Sequence, residues 1–164
     1  MTKKHFNILL ADDDTEHCNS FKNALDELHI HDKLTIINDP KQLIPYLTIH
    51  SAQLPDVLFL DFTMDSKQTF QCFFEIKANE KLKHLLVVMY SSSNPDDANY
   101  ERNLINMLYK YEALNYIKRP ETFDQLKQRI QYTIVMIKNR IHLKEIVRAS
   151  RKEMNQYSYY PNGQ

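Results

Sequence analysis

Short apolar segments alternate along this chain with longer segments of helical periodicity, and this alternation constrains the fold more than any other feature. Five segments rich in β-branched and other apolar residues have the length of strands: residues 6–11, 34–38, 57–61, 85–91 and 114–117. Two of them contain continuously apolar stretches, which are typical of parallel strands covered by helices on both faces. The pattern therefore predicts an α/β protein with a doubly wound, five-stranded parallel sheet.

Polar residues mark the starts of the helices between these strands. Thr15 and Thr122 are candidate N-caps, and Asp39 and Asn94 each precede a proline. Such prolines favour the first position of a helix, because the N–H that proline lacks would have no partner there. A third helix is predicted over about residues 67–79. Together these elements predict one domain over residues 5–133.

Length and composition exclude several classes of protein. The chain of 164 residues contains a single glycine, Gly163. A glycine-rich phosphate cradle is therefore excluded, because such loops need glycines for tight turns and for close backbone approach. No apolar run has the length of a membrane span, and the start of the chain lacks the apolar region of a signal peptide. A cytoplasmic location away from membranes is expected.

Polar and charged residues follow the predicted strands at their carboxyl ends. Residues 12–14 (DDD) follow the first strand, Asp61 ends the third, Ser91 ends the fourth, and residues 118–120 (KRP) follow the fifth. In an open parallel sheet these ends meet at one edge. Clustered carboxylates favour a hard divalent cation, and a carboxylate beside that cation can act as nucleophile toward a phosphoryl group. The arrangement predicts phosphoryl transfer to an aspartate.

Four sequence stretches resemble the signature motifs of response-regulator receiver domains. They are residues 8–14 (ILLADDD), 55–61 (PDVLFLD), 88–91 (VMYS) and 115–120 (NYIKRP). Each motif is weak alone, but all four occur in the order and at the strand ends that the family has. The resemblance covers roughly residues 5–133 and implies a flavodoxin-like sheet with strand order 2-1-3-4-5.

The resemblance assigns the centre of the site to a group of acidic residues and one backbone carbonyl. Asp61 matches the phosphoacceptor, and Asp12 and Asp13 match the acidic pair that binds Mg²⁺ (or Mn²⁺) together with Asp61. The backbone carbonyl of Thr63 matches a further protein ligand of the metal. The partner implied for this site is a histidine kinase or a phosphotransfer protein.

The resemblance also assigns a conformational switch, and here the chain departs from the family pattern. Ser91 matches the switch hydroxyl and Tyr116 the switch aromatic. Receiver domains have lysine where this chain has Arg119, which is a candidate phosphate contact with a planar head of different reach. Thr69 stands where the family usually has glycine, so the loop after Asp61 must either reproduce the geometry of that glycine or be rebuilt.

The last helical pattern continues beyond the predicted domain. Residues 134–164 are expected to form a C-terminal helical extension and tail, and residues 118–164 contain 10 basic against 4 acidic residues. About thirty residues of helix exceed what one domain layer needs, so the distal half must project, fray or pack on a partner, and a second copy of the chain is one candidate partner. Nucleic-acid binding is not expected, because no groove-reading motif accompanies the basic residues.

Three functions remain open from the sequence. The first is a single-domain response regulator that accepts a phosphoryl group on Asp61 and signals by protein–protein interaction, with no turnover of a small substrate. The second is a degenerate receiver that acts as an interaction or dimerisation module without phosphorylation; Arg119 and the altered loop favour it. The third is a metal-dependent phosphatase, which would need an acid at position 63, where the chain has Thr63.

Overall fold

A computed structural model of the chain describes residues 6–30, 33–62, 66–91, 98–118 and 120–157. Five strands alternate with five helices, in the order β1 (Asn7–Ala11), α1 (Thr15–Glu27), β2 (Lys33–Ile37), α2 (Pro40–Ile49), β3 (Val57–Asp61), α3 (Ser66–Ala78), β4 (Val87–Tyr90), α4 (Ala98–Lys110), β5 (Asn115–Ile117) and α5 (Phe123–Tyr157). Each predicted strand overlaps an observed one. None of these helices has the length and apolar character to cross a membrane.

The five strands form one parallel sheet in the order β2-β1-β3-β4-β5. This confirms the predicted fold class, including the strand order and the long C-terminal helix. The order reverses direction between β1 and β3, which are neighbours in the sheet but not in the chain. Side chains at the carboxyl ends of these two strands therefore lie beside one another, at the position where ligands bind in open α/β sheets.

The core lies where the helices cover the central strands. All five residues of β3 and all four of β4 are buried. Leu58, Leu60, Val87 and Met89 belong to one apolar cluster with side chains of α2, α3 and α4. Strands that are buried on both faces explain why their sequences are continuously apolar and do not alternate.

Aspartates cap two of the helices. Asp39 caps α2 by accepting a hydrogen bond from the backbone N–H of Lys41 at 2.9 Å, as its position before Pro40 predicted. The cap of α1 is Asp14, which accepts from Glu16 and His17; Thr15, the candidate cap, is the first residue of the helix. The Asn94–Pro95 start predicted for α4 lies outside the described residues.

Two helices are followed by a left-handed residue that is not glycine. His29, after α1, and Glu112, after α4, have positive φ values of 53° and 63°. The N–H of the next residue bonds back to the helix in both cases, from Ile30 to Leu25 and from Ala113 to Leu108. This left-handed position usually holds glycine, and a residue with a side chain costs about 1 kcal/mol there.

The chain divides into two units, Met1–Ile130 and Gln131–Gln164. The first contains the sheet, α1 to α4 and the start of α5, and the second contains the rest of α5. That residues 5–133 form the domain and residues 134–164 an extension stays a prediction.

Candidate functional site at the carboxyl edge of the sheet

The carboxyl ends of the strands bring the candidate residues to one edge of the sheet. Asp12 directly follows β1, Asp61 is the last residue of β3, and Ser91 directly follows β4. Backbone hydrogen bonds fix this alignment, because the N–H of Phe62 donates to Tyr90 at 2.7 Å and the N–H of Ser91 donates to Ile117 at 2.9 Å. The polar edge thus results from the register of buried apolar strands.

Three carboxylates converge at this edge. Asp12, Asp13 and Asp61 each offer one oxygen, and these oxygens lie within 4.8 Å of one another. Asp12 and Asp61 are each only 1% exposed, whereas Asp13 is exposed. Two of the three carboxylates are thus buried at this edge, and the third is exposed to solvent.

Asp12 is held in an environment that is costly for a negative charge. Its Oδ1 accepts a hydrogen bond from the N–H of Asp14 at 2.8 Å, but its buried Oδ2 has no hydrogen-bond partner among the described residues. Burial, together with repulsion from Asp61, Asp14 and Asp13, raises the pKa of Asp12 to about 7, although the hydrogen bond from the N–H of Asp14 opposes this shift. A bound divalent cation would remove this cost, so the residues fit a metal such as Mg²⁺.

Two further residues that the sequence did not single out contact this group. His17 lies on the first turn of α1 with its Nδ1 3.9 Å from Asp12 Oδ2 and 3.6 Å from Asp14 Oδ2. Cys18 donates its thiol to the backbone carbonyl of Asp12 at 3.4 Å. Burial, followed by the nearby carboxylates, raises the pKa of Cys18 to about 11, so the thiol stays protonated and structural. His17 and Cys18 follow the cap Asp14 by three and four residues, which is one helical turn. This spacing could have predicted that both side chains lie close to the acidic residues.

The chain after Asp61 enters α3 at Ser66, one residue before the start that the sequence predicted. Thr69, at the position usually occupied by glycine, lies inside α3 and is fully buried. Phe62 and Phe70 form an edge-to-face aromatic pair with ring centroids 4.9 Å apart. The departure from the family pattern is thus met by a helix that begins at Ser66 and needs no glycine at Thr69.

Of the four remaining candidate residues, the structure describes Ser91 and Tyr116. Ser91 is fully buried beside the acidic edge, and Tyr116 is partly buried with its ring packed against the core cluster. Thr63 and Arg119 lie outside the described residues. The structure therefore brings Asp12, Asp13 and Asp61 together with Ser91 at the same edge, while the roles of all these residues stay predictions.

Comparisons with known proteins agree with this architecture. No family model matches the chain. The chain is 25% identical over 129 residues to the probable methanogenesis regulatory protein FilR2 of Methanothrix harundinacea, which covers 77% of this chain and 79% of that protein.

Solved structures of response regulators share the fold. The phosphorylated cyanobacterial phytochrome response regulator RcpA is 23% identical with a TM-score of 0.61, covering 82% of this chain and 90% of its own. The Mn²⁺-bound form of response regulator Rcp1 is 19% identical with a TM-score of 0.62, covering 76% and 89%. The predicted resemblance is confirmed: the chain has the fold of response-regulator receiver domains.

Proposed function

We propose that this protein is the receiver of a two-component phosphorelay and accepts a phosphoryl group on Asp61. The observation that carries the proposal is the buried Oδ2 of Asp12, which lacks a hydrogen-bond partner beside the buried carboxylate of Asp61. A buried pair of carboxylates, beside a third that is exposed, is suited to a cation and an incoming phosphoryl group, because the cation relieves the cost of the buried charge. The donor is a phosphohistidine of a kinase or phosphotransfer protein, and the phosphorus–nitrogen bond breaks as a carboxylate oxygen of Asp61 bonds to phosphorus.

Asp12, Asp13 and Asp61 are the proposed ligands of Mg²⁺ or Mn²⁺, with the backbone carbonyl of Thr63 added by resemblance. The cation would neutralise charge on the phosphoryl oxygens, which is where phosphoryl transfer needs stabilisation. Each residue then has a distinct part. Asp61 supplies the nucleophile, Asp12 supplies the buried anchor, and Asp13 supplies the charge nearest solvent. The similar Rcp1 structure contains Mn²⁺, which supports this choice of metal.

Ser91 and Tyr116 form the proposed switch. Ser91 is buried beside the acidic edge, where its hydroxyl can bond a phosphoryl oxygen, and Arg119 is the proposed cationic contact. The backbone N–H of Ser91 donates a hydrogen bond to Ile117, the residue after Tyr116, and so links the ends of β4 and β5. Movement of Ser91 would therefore change the packing of Tyr116. The output is a protein–protein interaction in the cytoplasm, made to a partner or by homodimerisation through α5.

A second candidate function is a degenerate receiver that serves as an interaction module without phosphorylation. Two departures from the family pattern favour it. Thr69 is built into α3 where the family usually has glycine, and Arg119 stands where the family has lysine. Both changes follow strand ends that carry the candidate site, and arginine differs from lysine in reach and geometry.

Mass spectrometry of the intact protein after treatment with acetyl phosphate and Mg²⁺ separates the two functions. We expect an adduct of one phosphoryl group that requires the metal and is absent from Asp61→Asn. Asp56→Asn is the matched control, because Asp56 lies just before the same strand, at the end opposite Asp61, and its Oδ2 accepts a hydrogen bond from the backbone N–H of Asn7. If the wild type stays unlabelled where an ordinary receiver is labelled, the interaction module is the better assignment. A chromogenic phosphate ester should not be turned over.

A further inference from the structure

The distal half of α5 exposes an apolar stripe on one face. Tyr132, Leu143 and Met154 are 69%, 61% and 71% exposed, and their spacing of eleven residues places them in line along the helix. Ile134 and Ile137, which are buried, lie on a different face. Large apolar side chains exposed in a continuous row, rather than singly, mark a surface that binds a partner.

The stripe follows an eleven-residue repeat. Beside the row of Tyr132, Leu143 and Met154, the pairs Val135 with Ile146 and Met136 with Val147 are also eleven residues apart. Eleven residues complete about three helical turns, so the stripe stays on one face of a nearly straight helix over about 33 Å. Such a repeat is a signature of helices that pair along their length, with a slight right-handed supercoil.

The centre of the stripe is polar at two places, and this favours a second copy of the chain over a lipid surface. Asn139 and Ser150 are exposed, lie between the apolar residues and are again eleven residues apart. A bilayer would leave these side chains without hydrogen-bond partners, at a cost in free energy. In a symmetric pair of helices each would face its own copy, and an amide can both donate to and accept from another amide.

Charge distinguishes the two possible orientations of such a pair. Along one side of the stripe runs a row of four exposed cations: Arg140, Lys144, Arg148 and Arg151. The other side has mixed charge: it carries Glu153 and His142, with Glu145 and Lys138 further round the helix. In a parallel pair each side faces the opposite side of the partner helix, so the row of cations faces the side that carries both glutamates. In an antiparallel pair the two rows of cations would face each other and repel.

We propose that the distal half of α5 pairs with a second copy of this chain, in parallel and in register, through the stripe from Tyr132 to Met154. The inference deepens the proposed function and rests on it for its meaning, because it names the contact through which a receiver would pass its signal. The pairing itself requires only that Asn139, Leu143 and Ser150 each meet the same residue of the partner. Its contacts belong entirely to the second unit of the chain.

Disulfide cross-linking of the full-length protein tests the orientation. Tyr132→Cys and Met154→Cys place thiols at the two ends of the stripe, where a parallel pair brings each thiol close to its own copy. We expect each variant alone to form a covalent dimer on mild oxidation, at least about tenfold more than the wild type. The wild type is a suitable control, because its own Cys18 and Cys72 are buried.

Other outcomes would overturn the proposal. An antiparallel pair would place the two ends about 33 Å apart, so that neither variant cross-links alone and only a mixture of the two does. A protein that sediments as a monomer at high concentration would exclude pairing, and one that also binds vesicles of anionic lipid would assign the stripe to a membrane surface. Phosphoryl labelling of Asp61 is measured separately, so loss of pairing with labelling intact contradicts this inference alone.

Discussion

The acidic edge of the sheet buries charged side chains, whereas the distal half of α5 exposes apolar ones. At the edge, the carboxylates of Asp12 and Asp61 are buried, although charged groups normally face water. On α5, Leu143 and Met154 face water, although apolar side chains normally pack inside. Each arrangement is costly in the isolated chain. Both surfaces would be stabilised by a binding partner, and the partners differ in kind. The edge would bind a cation, and the helix would bind an apolar surface.

The two regions also differ in how they are made. The edge depends on contacts between residues far apart in the chain, because Asp12 and Asp61 meet only through the pairing of β1 with β3. The stripe depends on local periodicity alone, since any helix with this sequence would align Tyr132, Leu143 and Met154. Mutations at the edge should therefore change the stability of the fold, whereas mutations on the stripe should change only association.

The largest expected effect is on the stability of the metal-free protein when Asp12 is replaced by Asn. The pKa of Asp12 is raised from 3.8 to about 7, so the folded state binds its proton more tightly than the unfolded state. Its contribution to stability is complete below about pH 4 and is lost as the pH rises to about 7. Asp12→Asn should hence be more stable than the wild type at pH 8, by at most about 4 kcal/mol, and equal at pH 4.

Urea denaturation with a chelator present measures this difference. Asp26→Asn is the control, because Asp26 is an exposed carboxylate on α1. Equal stabilities of Asp12→Asn and wild type at pH 8 would mean that the buried charge is not costly, and the contrast between the two regions would fail.

A smaller effect is expected on the binding of Mg²⁺. Asp12→Asn removes one of three converging carboxylates and should weaken the affinity roughly 100-fold at pH 8, whereas Asp26→Asn should leave it unchanged. In the wild type the affinity should fall as the pH drops below about 7, because a proton competes for Asp12. Isothermal titration calorimetry measures both. Unchanged affinity in Asp12→Asn would place the cation elsewhere.

The smallest effect is expected on association through the stripe. Leu143→Glu introduces a charge at the centre of the apolar row and should raise the dissociation constant of the dimer at least about tenfold. Lys152→Gln changes the charge by the same amount on the opposite face of the helix and should have no such effect. Analytical ultracentrifugation measures the dimer constants, and urea denaturation should show both variants folded. Equal dissociation constants for the two variants would remove the stripe from the interface.

Much of the fold could be predicted because its signals are local. Continuously apolar strands such as Val57–Asp61 and the Asp39–Pro40 helix start are readable from a few adjacent residues. Asp14 and Thr15 are both suitable caps for α1 by residue type, and one residue of register decides between them. The start of α3 was predicted to within one residue of Ser66, but the complete burial of Thr69 was not readable, because it depends on packing against other elements.

The sequence by itself determined which residues end each strand and which face of α5 is apolar, because both follow from short repeats of known geometry. Only the tertiary structure decided that Asp12 is buried with one carboxylate oxygen lacking a hydrogen bond, and that His17 approaches it. Burial and pKa depend on the residues that surround a side chain in space, and the chain brings these together from several strands and helices. Local periodicity can place a carboxylate at an edge, but its charge state is set by the fold around it.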